Sequence, residues 1–157
     1  MASAGDYVYA AKEAGLLVAY LKRDVSAQSF TDSTEAAVSW QTAVIDRQGG
    51  WNSGVNPTRY TPTIAGWYVV RGSVNYVGNA TGSRRARWNF NGTADVFQQY
   101  GNLPTFTFQA QAPAVPFLFN GSTDYIELVG YQSSGGALST TTGSSSSFFW
   151  LSYHGAA

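Results

Sequence analysis

Apolar and polar residues alternate along most of this chain after Asp24. Arg85, Arg87 and Asn89 alternate with Ala86, Trp88 and Phe90, and Asn91-Gly92 then supplies a turn. Thr105, Thr107, Gln109 and Gln111 alternate in the same way with Phe106, Phe108 and Ala110. Period two sends successive side chains to opposite sides, so each segment predicts a strand with one face in a core. Further strands are predicted at Ala36–Ile45, Ile64–Tyr76, Val115–Phe119, Tyr125–Tyr131 and Ser147–Tyr153. Clusters such as Gln48-Gly49-Gly50, Val77-Gly78-Asn79 and Asn120-Gly121-Ser122 separate them and mark turns. The Gly/Ser/Thr-rich run from Ser133 to Ser147 predicts a flexible surface loop. Many short strands joined by glycine-rich turns predict an all-β antiparallel sandwich.

The pattern ahead of Asp24 is different. Tyr9 to Arg23 are mostly helix formers, and Leu16, Leu17, Tyr20 and Leu21 share one helical face, although Gly15 weakens the helix. Residues 1–24 therefore read as a helical or extended anchoring segment, and residues 25–157 as a single domain. The segment either packs on its own domain or docks on a neighbouring chain. The second reading makes Tyr9, Leu16, Leu17, Tyr20 and Leu21 the anchoring contacts.

Three strands are apolar on both sides. Ile126 and Leu128 oppose Tyr125, Val129 and Tyr131; Phe148 and Trp150 oppose Phe149, Leu151 and Tyr153; Trp67 and Val69 oppose Tyr68 and Val70. A two-sheet sandwich covers only the inner face of each sheet, so the outward rings need another cover. That cover is either the N-terminal segment or a sister subunit. On the subunit reading the expected interface is Trp67, Tyr125, Val129, Tyr131, Phe149, Leu151 and Tyr153.

Composition narrows the functional classes. Charged residues are only 11% of the chain, but 15% aromatics supply enough surface to bury for a folded domain. Nine basic residues balance nine acidic ones, so no overall field draws the chain to nucleic acid or an anionic membrane. The absence of cysteine excludes disulfides, thiolate metal sites and thiol catalysis. No basic leader followed by a sustained apolar run opens the sequence, so no signal peptide is expected. The apolar run Leu16–Leu21 falls far short of the about 20 residues that cross a bilayer, so no membrane insertion is expected.

Candidate chemistry is sparse. His154 is the only histidine, and no Gly-x-Ser-x-Gly elbow accompanies any serine. The acidic residues are scattered, and Asp124 and Glu127 fall on opposite sides of a regular strand. The chain is expected to be no enzyme and to hold no cofactor; no EF-hand-like spacing marks a metal site, and whether calcium binds is left open. Arg84, Arg85 and Arg87 form the one basic cluster, and Arg85 and Arg87 share a strand face. That pair either binds a carboxylate or phosphate or is a solvated face paired with neighbouring acids. The aromatic and amide residues Trp51, Asn52, Gln98, Gln99 and Tyr100 suit a host cell-surface glycan without any motif that singles them out.

The order of the pieces resembles the C1q/TNF-like jelly roll. An early Gly-x-Tyr strand is matched by Ala65-Gly66-Trp67-Tyr68-Val69-Val70, and a strand ending in Asn-Gly by Arg87 to Gly92. A third element, "Gly-Asp-x-Val-x-Leu-x-x-x-Gln-x-Ser-Gly", is similar to Ser122 to Gly135. An aromatic closing strand is matched by Ser147 to Tyr153. The resemblance implies a sandwich that packs as a homotrimer through aromatic faces. The layout, with its short head and the run Asn56-Pro57-Thr58-Arg59-Tyr60-Thr61-Pro62, also resembles small virion proteins of tailed bacteriophages. That second resemblance implies a structural knob on the virion surface, attached to phage capsid or tail proteins as a decoration or minor tail protein. A carbohydrate-binding receptor module is the alternative it leaves open.

Overall fold

The computed structural model describes residues 15–100 and 105–157, the side chains of 95–100 excepted. In chain order the strands begin with β1 (Leu16–Arg23), β2 (Ser29–Phe30), β3 (Ala36–Ala37) and β4 (Thr42–Asp46). The middle of the chain supplies β5 (Arg59–Tyr60), β6 (Gly66–Tyr76), β7 (Arg84–Phe90) and β8 (Thr93–Tyr100). The remainder supplies β9 (Phe108–Phe119), β10 (Ile126–Gln132), β11 (Leu138–Ser139) and β12 (Ser147–Gly155). One sheet has the order β4-β1-β12-β6-β9; the other runs β3-β10-β7-β8, with β5 also paired to β10. A small β2-β11 ladder completes the sandwich, and every named pairing is antiparallel.

Alternation builds the core. In β12 the residues Ser147, Phe149, Leu151 and Tyr153 are buried, while Phe148, Trp150 and Ser152 are only partly so. Phe149 is ringed by Trp40, Tyr60 and Trp88, with centroids at 6.0, 5.9 and 5.9 Å. Trp88 reaches across from β7 onto Gly72 of β6, where a Cβ would stand only 2.9 Å from the indole. Its Nε1 donates to the carbonyl of Pro113 at 2.7 Å, which satisfies a buried polar group. Pro113 belongs to an irregularity in β9, where Val70 and Gly72 of β6 pair with Val115 and Ala112. The bulge and the indole fix one another.

Four local expectations change. Of the helical or extended segment expected up to Arg23, the part Leu16–Arg23 is strand β1 and not a helix, paired with β12 on one side and β4 on the other. Its period of two is masked by a bulge between Leu17 and Ala19, which leaves Val18 and Ala19 both buried. Two flanking strands and a core-facing Leu21 override a modest helix propensity. The sandwich thus takes in the segment 1–24 from Leu16 onward; Tyr9 lies outside the described residues.

The single strand expected over Ala36–Ile45 is two, because the chain passes from one sheet to the other through buried Val38 and Trp40. The separate strands expected around Phe108 and at Val115–Phe119 are one strand carrying the bulge. The run from Ser133 to Ser147 is not simply a loop. It holds β11, with Leu138 and Thr140 buried, and Gln132 ties it down by donating to the carbonyls of Phe30 and Gly136. At Asn91-Gly92 the turn forms as expected, with φ of 51° and 78°.

Candidate self-association surface

The outer face of the β4-β1-β12-β6-β9 sheet is lined with rings and aliphatic chains. Register places Tyr20 beside Trp150, Lys22 beside Phe148 and Leu17 beside Ser152. On the other side of β12, Arg71 lies opposite Trp150 and Val69 opposite Ser152. The patch continues to β9, where Trp67 faces Leu118 and Val69 faces Pro116. Trp67 and Leu118 are each 43% exposed, a large fraction for such side chains. Tyr20 meets Phe148 edge to face at 6.5 Å, and a shallow apolar cleft of about 270 Å³ runs between Leu17, Tyr20, Phe148 and Trp150. A second cleft, of about 410 Å³, opens beside the β9 bulge between Arg71, Pro113, Ala114, Phe148 and Trp150. At one end the face turns polar. There Gln109 donates to Ser73, Ser73 to the Asn75 side chain, and Asn75 to the carbonyls of Ser145 and Ser146.

The outer face of the β3-β10-β7-β8 sheet is built from charge. Arg85 Nη2 donates to Glu35 at 2.6 Å and Arg87 Nε at 3.1 Å, with a further Arg87 contact to the second carboxylate oxygen. The Arg87 guanidinium holds the Glu35 carboxyl below its usual range, Arg85 adds to this, and partial burial opposes it. Glu127 accepts from Thr58 at 2.7 Å and pairs with Arg59 at 3.3 Å. Arg59 lies 4.0 Å over the Tyr125 ring and Arg85 4.5 Å over Tyr131. Every aromatic described on this face carries a cation.

No family model matches the sequence, and no curated protein matches it. Solved structures do match in shape. Murine APRIL at pH 5.0 superposes with a TM-score of 0.62 at 14% identity, covering 86% of this chain and 98% of that one. Eiger TNF from S. frugiperda gives 0.62 at 12% identity, covering 90% and 94%. The murine APRIL structure at pH 8.0 gives 0.62 at 16% identity, covering 87% and 98%. The fold is a TNF-like jelly roll. The predicted all-β sandwich is therefore observed, and at these identities the likeness concerns the fold.

Within the TNF-like sandwich the expected interface residues divide three ways. Trp67 lies on the exposed outer face of the first sheet. Phe149, Leu151 and Tyr153 do not face outward: they are 2%, 0% and 7% exposed and form the core of their own domain. Tyr125, Val129 and Tyr131 belong to the opposite sheet, the first two tied to Arg59 and to the β3-β10-β7 ladder, the third to Arg85. Val129, 3% exposed, is already covered by its own strands.

The anchoring residues divide as well. Leu21 is in the core, Leu17 and Tyr20 join the outer face, and Leu16 is half-buried beside Tyr153. Arg85 and Arg87 come together as expected, but around Glu35. His154 Nε2 lies 3.0 Å from Ser152 Oγ, and both are at the outer surface of β12. Among the described residues no carboxylate bonds this histidine and no cluster of three metal-ligating side chains forms. The outward pair Phe148 and Trp150 was missed. A signal was present: they share strand parity with Ser152 and His154, and that polar company marks the outer side.

Proposed function

We propose that this chain is a non-enzymatic structural knob that associates as a homotrimer through the outer face of the β4-β1-β12-β6-β9 sheet. The observation that carries this reading is the apolar outer face, with Leu17, Tyr20, Phe148 and Trp150 around one cleft and Trp67, Val69 and Leu118 on the neighbouring strands. A patch of that kind on a folded domain marks an interaction site, since water gains by its removal. A second copy is the favoured occupant because the TNF-like fold agrees with the trimer implied by the sequence resemblance. The charge-paired opposite face then stays in solvent.

Attachment to a larger particle is the second half of the reading. The layout of the sequence supports a place on a virion surface, bound to phage capsid or tail proteins. Because β1 is part of the sandwich, residues ahead of Leu16, Tyr9 among them, carry that attachment. Mass spectrometry of purified particles tests the location, and a particle free of the chain ends it. Sedimentation equilibrium of the full chain tests the assembly. The expected result is a mass three times that of one chain; a folded monomer at micromolar concentration overturns it.

A further inference from the structure

Arg71 is an exposed cation on the first sheet, between Trp150 of β12 and the bulge of β9. Its guanidinium carbon lies 5.1 Å from the Trp150 ring centroid. Every other lysine or arginine among the described residues has an oxygen partner. Lys22 pairs with Asp24, Arg59 with Glu127, and Arg85 and Arg87 with Glu35. Arg23, Arg47 and Arg84 donate to main-chain carbonyls. Arg71 has neither kind of partner among those residues. The described carboxylates are also engaged: besides those just named, Asp32 accepts from Ser33 and Gly135, Asp46 from Gly50 and Tyr60, and Asp124 from Asn91 and Asn120.

Covering this face with a sister copy removes water from Arg71 without bringing a described carboxylate free to replace it. A buried guanidinium without a counter-charge is strongly unfavourable. With the indole against the guanidinium, its edge N–H groups remain in a fork that matches the oxygens of an oxyanion. The cleft has room beside it, about 410 Å³, walled by Trp150, Phe148, Pro113, Ala114 and the polar Gln111. Its floor is a built feature, because the Pro113 carbonyl is held by Trp88 from the core side. We infer that the assembled protein binds a phosphate-sized oxyanion on Arg71 in this cleft, at a site closed only when a neighbouring copy covers it.

This inference rests on the trimer proposed above, and one experiment separates the two. The full chain is melted at fixed ionic strength in rising inorganic phosphate, with chloride as the balancing salt, and its mass is followed by sedimentation in the same buffers. The expected result is a trimer whose melting midpoint rises by about 5 °C at phosphate a hundredfold above its dissociation constant. Arg71→Leu should sediment as a trimer with no phosphate-dependent rise, and Arg71→Lys, which keeps charge but loses the fork, should need severalfold more phosphate. Arg85→Gln, on the opposite face, should respond as the parent does. A parent trimer indifferent to phosphate, or an Arg71→Leu trimer that responds as strongly as the parent, overturns the anion site. A folded parent monomer in every buffer overturns the assembly instead.

Discussion

The two outer faces of this sandwich handle their aromatic residues in opposite ways. On the β10-β7 side, Tyr125 and Tyr131 lie under arginines, and those arginines close on Glu127 and Glu35. On the β1-β12-β6 side, Tyr20, Phe148 and Trp150 touch one another, and the one arginine among them has no carboxylate among the described residues. The first surface has its polar groups satisfied within one chain. The second leaves Trp67, Leu118 and the Arg71 guanidinium exposed. In a protein with so few charges, the placement of those charges is a clearer guide to the exposed side than hydrophobicity is.

The sharpest way to break the comparison is a charge on the apolar face. Trp150→Asp should abolish association while leaving the far-ultraviolet circular dichroism unchanged, because the side chain is outside the core. The matched double change Arg85→Ala with Arg87→Ala should leave the sedimenting mass alone. If both behave alike, the faces do not differ as described.

A core substitution should act on stability instead. Phe149→Ala removes the ring that Trp40, Tyr60 and Trp88 surround and should cost about 3–5 kcal/mol in chemical denaturation. Leu21→Ala should cost about 2–5 kcal/mol if β1 is a core strand, and far less if that segment were a detachable anchor. The smallest effect is electrostatic. Glu35 has its folded-state pKa lowered from an ordinary 4.5, so its contribution is present above that value and is lost as pH falls through the lower one. With the side chain 32% exposed, screening holds that contribution to about 1 kcal/mol or less. Glu35→Gln should therefore flatten the acid limb of the stability profile slightly and leave the neutral mass unchanged.

The strands were legible wherever alternation was strict. Arg85 to Phe90 announces its period directly, and Asn91-Gly92 announces its turn. Legibility failed where one residue breaks the period. The bulge at Val18 makes β1 imitate a helical face, and the turn-like run after Ser133 conceals Leu138 because a two-residue strand has no period to detect.

For the candidate site the difficulty was a matter of sign. Alternation states that Phe148 and Phe149 point opposite ways but not which of them meets the other sheet. That choice is made by Trp88 and Tyr60, both distant in sequence, packing on Phe149. Arg71 was invisible for a related reason: that the described carboxylates bond elsewhere is something only the fold reveals.

Hydroxyl-radical footprinting of the full chain at micromolar concentration addresses the buried state of each ring. Trp150, Phe148 and Tyr20 should be protected nearly as well as Phe149, while Tyr125 and Tyr131 take up label. Labelling of Trp150 and Phe148 as fast as Tyr125 and Tyr131, with Phe149 still protected, would mean that water and no sister copy covers the first sheet.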